Sequence, residues 1–219
     1  MPKVKIPRKS TIVDMTAMCD VAFLLLSFFI LATKQKPPEV LSVATPNSIS
    51  KEVAPDKAII ITMTKDGRAF LSLGEGIKKA EIIDNINLTK GLNLSAAEMA
   101  KFNKQEFIGL PFNQIKSALA LATAPNPADM PGIPVKDSTN NELVDWLRSV
   151  TNVYAGGNQN ELQDMLLIKG DNESLYPVFK NIKFAFKRNQ IYKFRIVTNG
   201  QPVPTDSELY NKAVTEKNK

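Results

Sequence analysis

The sequence predicts an α+β protein: a single N-terminal transmembrane helix, then a small two-layer β-β-α-β-α-β domain with a largely helical insertion. Three observations carry that expectation. The apolar run from Ile12 to Ala32 has the length of a bilayer crossing. The β-branched run Ile59-Ile60-Ile61-Thr62-Met63 is followed by an Asp-Gly turn and a second apolar run. Residues 141–154 and 176–188 carry apolar side chains at helical spacing, each beside a strand-like run.

Residues 1–11 are a short basic tail. Residues 12–33 are the membrane helix, and a rise of about 1.5 Å per residue carries it across about 30 Å. Lys3, Lys5, Arg8 and Lys9 precede the run, while Lys34 and Lys36 follow it. That asymmetry puts the N-terminus in the cytoplasm and the rest of the chain on the opposite face, the periplasm if the cell is Gram-negative. The rival expectation is a cleaved signal peptide with its apolar core from Val21 to Ala32. Against it, Ile30 would occupy the −3 position of the cleavage site, and Asp14 and Asp20 interrupt the approach.

Asp20 is the informative residue of this helix. An ionised carboxylate at that depth costs at least ~2.5 kcal/mol on the lenient insertion scale, and a plain anchor would lose nothing with Leu there. The expectation is a carboxyl group that binds and releases a proton or ion. Thr16 and Ser27 share its helical face and form a supporting polar stripe. Ser27 by itself reads more simply as a hydroxyl bonded back to its own helix. Asp14 falls near the cytoplasmic end and reads as solvated or as part of proton exit.

Residues 34–57 read as an extended linker, because Pro37-Pro38, Pro46 and Pro55 prevent a helix. Within it, residues 39–44 alternate weakly and are expected to pair with a neighbouring strand edge. The domain is expected over 58–200, with the insertion at about 78–138. Its elements are a strand over 58–64, a turn over 65–68 and a return strand over 69–73. In the insertion, 93–107 reads as a helix with the capping box Ser95-Ala96-Ala97-Glu98, and 112–123 as a second helix. Residues 125–134 read as a proline-rich loop. Then follow a helix over 141–154, a buried strand over 165–169, a helix over 176–188 and a half-exposed strand over 193–198. Residues 201–219 are a polar tail.

Composition narrows the function classes. The chain has 219 residues, a formal net charge of +6, no histidine and one cysteine, Cys19. The cations are dispersed, so nucleic-acid binding is not expected. Without histidine, a metal cluster, a nucleophile motif or a phosphate loop, neither an enzyme nor a metal or cofactor site is expected. Cys19 reads as a packed apolar thiol, or as facing its twin in a homodimer.

The run Asp14-Met15-Thr16-Ala17-Met18-Cys19-Asp20-Val21, with the apolar stretch after it, resembles the membrane segment of the ExbD/TolR family. Members typically carry Asn-Val-Thr-Pro-Phe-x-Asp-Val here. This chain keeps Thr16, Asp20 and Val21, with Asp14 in place of Asn and Ala17 in place of Pro. Residues 45–48 are similar to the family's Leu-Pro element. Ile168-Lys169-Gly170-Asp171, then Tyr176 with a helix, then Ile196-Val197-Thr198 are similar to its strand-Asp-Tyr-helix-strand ending. Residues 78–138 have no counterpart in short members.

The resemblance implies an inner-membrane proton-channel motor subunit, usually a homodimer, inside an ExbB-like pentameric ring. It also implies protons carried by Asp20 and a periplasmic domain that engages a TonB-like transducer for outer-membrane transport. Partner-docking candidates are then Val40, Leu41, Val43, Pro46, Asp171 and Tyr176. The blander reading of the last two, a turn-forming Asp and a core Tyr, is preferred. The alternative role is a membrane-anchored scaffold or peptidoglycan-binding module, TolR-like, without proton conduction.

Overall fold

The computed structural model describes residues 15–32, 41–50, 52, 54–55, 57–74, 76–121, 125–137, 139–155, 159–202, 204–205 and 207–208. The chain divides into two compact units, Met1–Glu39 and Val40–Lys219. In the first, Met15–Ala32 forms one helix, α1, with no buried residue. Its length and composition suit a membrane crossing. The expected ends at 12–14 and 33 lie outside the described residues.

The second unit is built on a mixed sheet. After the short strand β1 (Asn47–Ser48), β2 (Ile59–Met63) and β3 (Ala69–Leu73) form the expected hairpin, with Ile59 opposite Leu73 and Met63 opposite Ala69. The turn closes through Gly67 N–H donating to the Thr64 carbonyl at 3.0 Å. Gly67 has φ +78°, a left-handed conformation that favours glycine. The insertion contributes α2 (Lys79–Lys90), α3 (Ala96–Lys104), β4 (Phe107–Ile108) and α4 (Phe112–Ala120). Then follow α5 (Leu143–Tyr154), α6 (Gln159–Met165), β5 (Leu166–Gly170), α7 (Tyr176–Arg188), β6 (Arg195–Ile196) and β7 (Asn199–Gly200). The main sheet runs β4-β3-β2-β5-β6, with β5 parallel to β2 and β6 parallel to β5. A second sheet pairs β1 with β7 in parallel.

Register decides which side chains share a face. Residues paired across strands lie on the same side. Ile59, Ile61, Met63, Ala69, Leu71, Leu73, Leu166 and Ile168 therefore form one face, and all are buried. They belong to one core cluster with Leu143, Trp146, Leu147 and Val150 of α5 and Ile182, Ala185 and Phe186 of α7. The α5 and α7 faces expected from apolar spacing are thus the inward ones, and α7 has the expected bounds. On the opposite face Phe70 and Leu167 are also buried, so the hairpin is not open to solvent on either side.

The insertion is part of this core. Strand β4 extends the sheet beyond β3, with Leu71 opposite Ile108. The Arg68 guanidinium donates to the carbonyls of Ala128 at 2.7 Å and Met130 at 3.0 Å, and Ile133 N–H donates to the Ala69 carbonyl at 2.7 Å. Trp146 stands edge-on to Phe102 of α3 and stacked on Phe112 of α4. The capping box is present: Ser95 Oγ accepts the Glu98 N–H at 3.3 Å, and Glu98 Oε2 accepts the Ser95 N–H at 2.7 Å. The Ser95 N–H and the Ser95 hydroxyl, the latter at 2.9 Å, both donate to Glu98 Oε2 and hold that carboxyl below its ordinary pKa. Lys79 Nζ donates to the Gln105 carbonyl beyond α3, and burial lowers its pKa.

Several expectations change. Helix 93–107 is shorter, because Ser95 caps its start and Phe107 joins the sheet instead. Helices α2 and α6 have no counterpart in the expected elements. The sequence of α2, KAEIIDNINLTK, spreads polar residues among the buried Ile82, Ile83 and Ile86, which masks its periodicity. The strand expected over 193–198 pairs only at 195–196. The linker expected over 34–57 does not stay outside the domain, since Leu41 and Val43 are buried in the core. Most of the polar tail lies outside the described residues.

Two substitutions test this packing. A Cβ on Gly109 would lie 2.3 Å from Phe70 Cδ1, inside a filled core. Gly109→Ala is expected to cost about 1–3 kcal/mol, read as a lower urea midpoint in detergent. Glu142 accepts the Phe112 N–H at 2.8 Å, and burial raises its pKa. Native Glu142 therefore holds its proton more tightly than the unfolded chain does. Its ionisation costs stability as pH rises from the ordinary glutamate range of about 4.3 through the raised native value. Glu142→Gln keeps the acceptor and cannot ionise. Relative to wild type it is expected to be more favourable at pH 7 than at pH 4; the opposite trend in urea unfolding would contradict the burial argument.

Candidate functional site

On α1 the backbone turns about 100° per residue, which places Thr16, Asp20 and Ser27 within about 40° of one another around the axis. The apolar side chains around them, Phe23, Leu24, Phe28 and Leu31, are all exposed. A helix of this composition needs an apolar surround. The Ser27 hydroxyl donates to the Leu24 carbonyl at 2.9 Å, a bond inside its own helix. Ser27 is thereby occupied locally, as its simpler reading expects. Asp20 is exposed, and no hydrogen bond or ion pair reaches it from the described residues. Cys19 is a free, exposed thiol beside it. Asp14 lies outside the described residues.

The second arrangement lies in the domain, where the chain enters it. Asp171 is the first residue after β5. Its N–H donates to the Met63 carbonyl at 3.0 Å, and its carboxylate accepts the N–H of Ala44 at 3.1 Å and of Glu173 at 2.9 Å. Asn172 N–H donates to the Ala44 carbonyl at 2.8 Å. Asn199 N–H donates to the Pro46 carbonyl at 2.8 Å and its side chain to the Thr45 carbonyl at 3.2 Å. The β1–β7 pairing continues this row. Residues 41–48 are thus held by backbone bonds on one side and by the buried Leu41 and Val43 on the other.

This placement sorts the docking candidates. Leu41 and Val43 are filled into the domain's own core and present no side-chain surface; their alternating apolar pattern served internal packing. Pro46 is half-buried, with its carbonyl bonded. Asp171 forms a turn, as expected, and also fastens the entering chain. Tyr176 departs from the core role preferred for it: it is 69% exposed, next to Leu175 at 61%. It opens α7 just before Pro177, so its ring lies outside the buried stripe and is tilted against that of Phe179, at 6.4 Å between centroids. Val40 lies outside the described residues. Asn172 and Asn199 were missed. The dipeptide Asn199-Gly200 has turn composition, and only its partner strand reveals its role.

Among the described residues no three acids or thiols could hold a metal ion together. A cleft of about 600 Å³ runs past Ser48, Glu52, Leu167 and Arg195, but Arg195 is engaged there with Asp164 at 3.5 Å and Glu52 at 3.8 Å.

The family model described as Biopolymer transport protein ExbD/TolR matches residues 7–201, which takes in both arrangements. No curated protein and no solved structure matches the chain.

The clamp at Asp171 has a measurable consequence. Asp171→Ala removes the acceptor of two backbone N–H groups, and a hydrogen bond to a charged group contributes about 1.5–3 kcal/mol when protected. Solvent exposure lowers this, so a loss of about 1–2 kcal/mol is expected, with faster proteolytic cleavage over residues 41–48. Unchanged cleavage in Asp171→Ala would show that β1–β7 pairing alone holds the segment.

Proposed function

Because the chain belongs to the ExbD/TolR family of membrane proteins of biopolymer transport, we propose that it is the proton-carrying subunit of an inner-membrane motor. Asp20 alternates between carboxylate and carboxylic acid within an ExbB-like pentameric ring, and the domain passes the resulting motion to a TonB-like transducer. The observation that carries this reading is a lone carboxylate, without a partner among the described residues, on an apolar helix with no buried side chain.

The physical chemistry is direct. Protonation removes the cost of holding a charge in hydrocarbon, so neutral Asp20 tolerates an apolar stretch of the ring. The ionised form needs hydroxyl or other polar donors, which the ring supplies. A proton descending 100 mV yields ~2.3 kcal/mol, several times thermal energy, and biases the motion between ring and stalk. Two copies of α1 fit inside the ring as a homodimer. The N-terminus is cytoplasmic and the domain periplasmic, as the flanking cations direct. The role is mechanical, with no bond chemistry and no cofactor.

Proton flux into liposomes containing the chain with its ring protein tests the proposal. Asp20→Asn keeps the shape and removes the titration. Flux is expected to fall to background while the complex still assembles. Equal flux in mutant and wild type would sink the proton-carrying role and leave the TolR-like scaffold, in which Asp20 only joins helices.

A further inference from the structure

Helix α7, YPVFKNIKFAFKR, carries four cations and no acid. Its inner face is spent on the core through Ile182, Ala185 and Phe186. Away from that face, Lys180, Lys183 and Lys187 follow Tyr176 at i+4, i+7 and i+11 and form one exposed row, with Arg188 at its end. Elsewhere some of the domain's cations meet acids, Lys90 and Arg148 with Asp145 and Arg195 with Asp164. No ion pair among the described residues neutralises the four on α7. Lys183 instead lies 5.7 Å from the centre of the Phe179 ring, and Arg188 6.0 Å from that of Phe184. Exposed Leu175 and Tyr176 stand at the N-terminal end of the row.

We propose that the α7 lysine row is a docking face for an anionic bilayer surface, with lipid phosphodiester headgroups as its ligand. The row is flat, about 17 Å long at helical rise, and spaces its charges as point contacts. Such spacing suits an array of headgroups rather than one enclosed anion. Exposed Tyr and Leu at its end are side chains that partition to the water–lipid boundary. Residues 33–40, which join α1 to the buried Leu41, span at most about 30 Å, so a membrane-anchored domain meets headgroups at high effective concentration. The inference rests on the family's membrane anchoring and is independent of proton conduction.

Lysine footprinting on the full chain tests it. The protein is placed in nanodiscs of phosphatidylcholine alone or with about one third phosphatidylglycerol, and amines are acetylated in a timed pulse. Each cation beside an anionic surface contributes roughly fivefold in affinity. Lys180, Lys183 and Lys187 are expected to react several-fold more slowly in the anionic discs at 50 mM KCl and to recover at 500 mM. Lys104, exposed on α3, should react alike in both. Asp20→Asn should leave the footprint unchanged, which separates this result from the motor proposal. Equal rates for the α7 lysines in both lipids overturn the inference. So does protection by soluble polyglutamate with none by phosphatidylglycerol, which would assign the row to an acidic polypeptide.

Discussion

The parallel register between Ile59–Met63 and Leu166–Gly170 is the constraint on which the domain depends. Two strands more than a hundred residues apart lie side by side in the middle of the sheet. Parallel neighbours require a long connection, and here it holds the return strand, the insertion and α5. Both strands are nearly continuous apolar runs because both of their faces are covered. The same register sets Asp171 beside Met63, where its carboxylate reaches Ala44. The path of the chain into the domain therefore follows from the pairing of two distant strands.

The insertion is built to share that core. A separate lobe would need an apolar centre of its own, yet α2, α3 and α4 direct Ile82, Ile83, Ile86, Phe102, Ile115 and Leu119 into the common cluster. Its last segment returns over the hairpin, with Gly132 N–H on the Gly109 carbonyl and Arg68 gathering two carbonyls that would otherwise face the loop. Gly109 lacks a side chain where Phe70 approaches, so the ring packs directly against its backbone.

The two units answer to different solvents. Helix α1 has apolar side chains all around and one short polar stripe, the composition of a segment whose surround is hydrocarbon and other helices. The domain buries its apolar residues and keeps most of its charge at the surface. Helix α7 concentrates that charge, with four cations and no acid on the same helix that opens with exposed Tyr176.

The membrane-length helix, the stripe around Asp20, the hairpin, the capping box, α5, α7 and the order of the core elements are legible along the chain. Each of these is set by local chemistry: apolar periodicity, an Asp-Gly turn, a Ser-x-x-Glu cap. The family was legible for the same reason, since its motifs are short runs around Asp20 and Asp171. Tertiary structure alone decided what depends on distant partners. Helix α2 takes its stability from packing on α5 and not from a clear apolar stripe. Strands β4, β6 and β7 are two-residue pairings that exist only because a neighbour offers its edge. Leu41 and Val43 alternate like a free strand, and the fold spends them on the core. Tyr176 has the apolar body of a core residue, but its place in the first turn of α7 turns it outward. Spacing along a chain records which residues share a face; what that face meets is decided by elements far away in sequence.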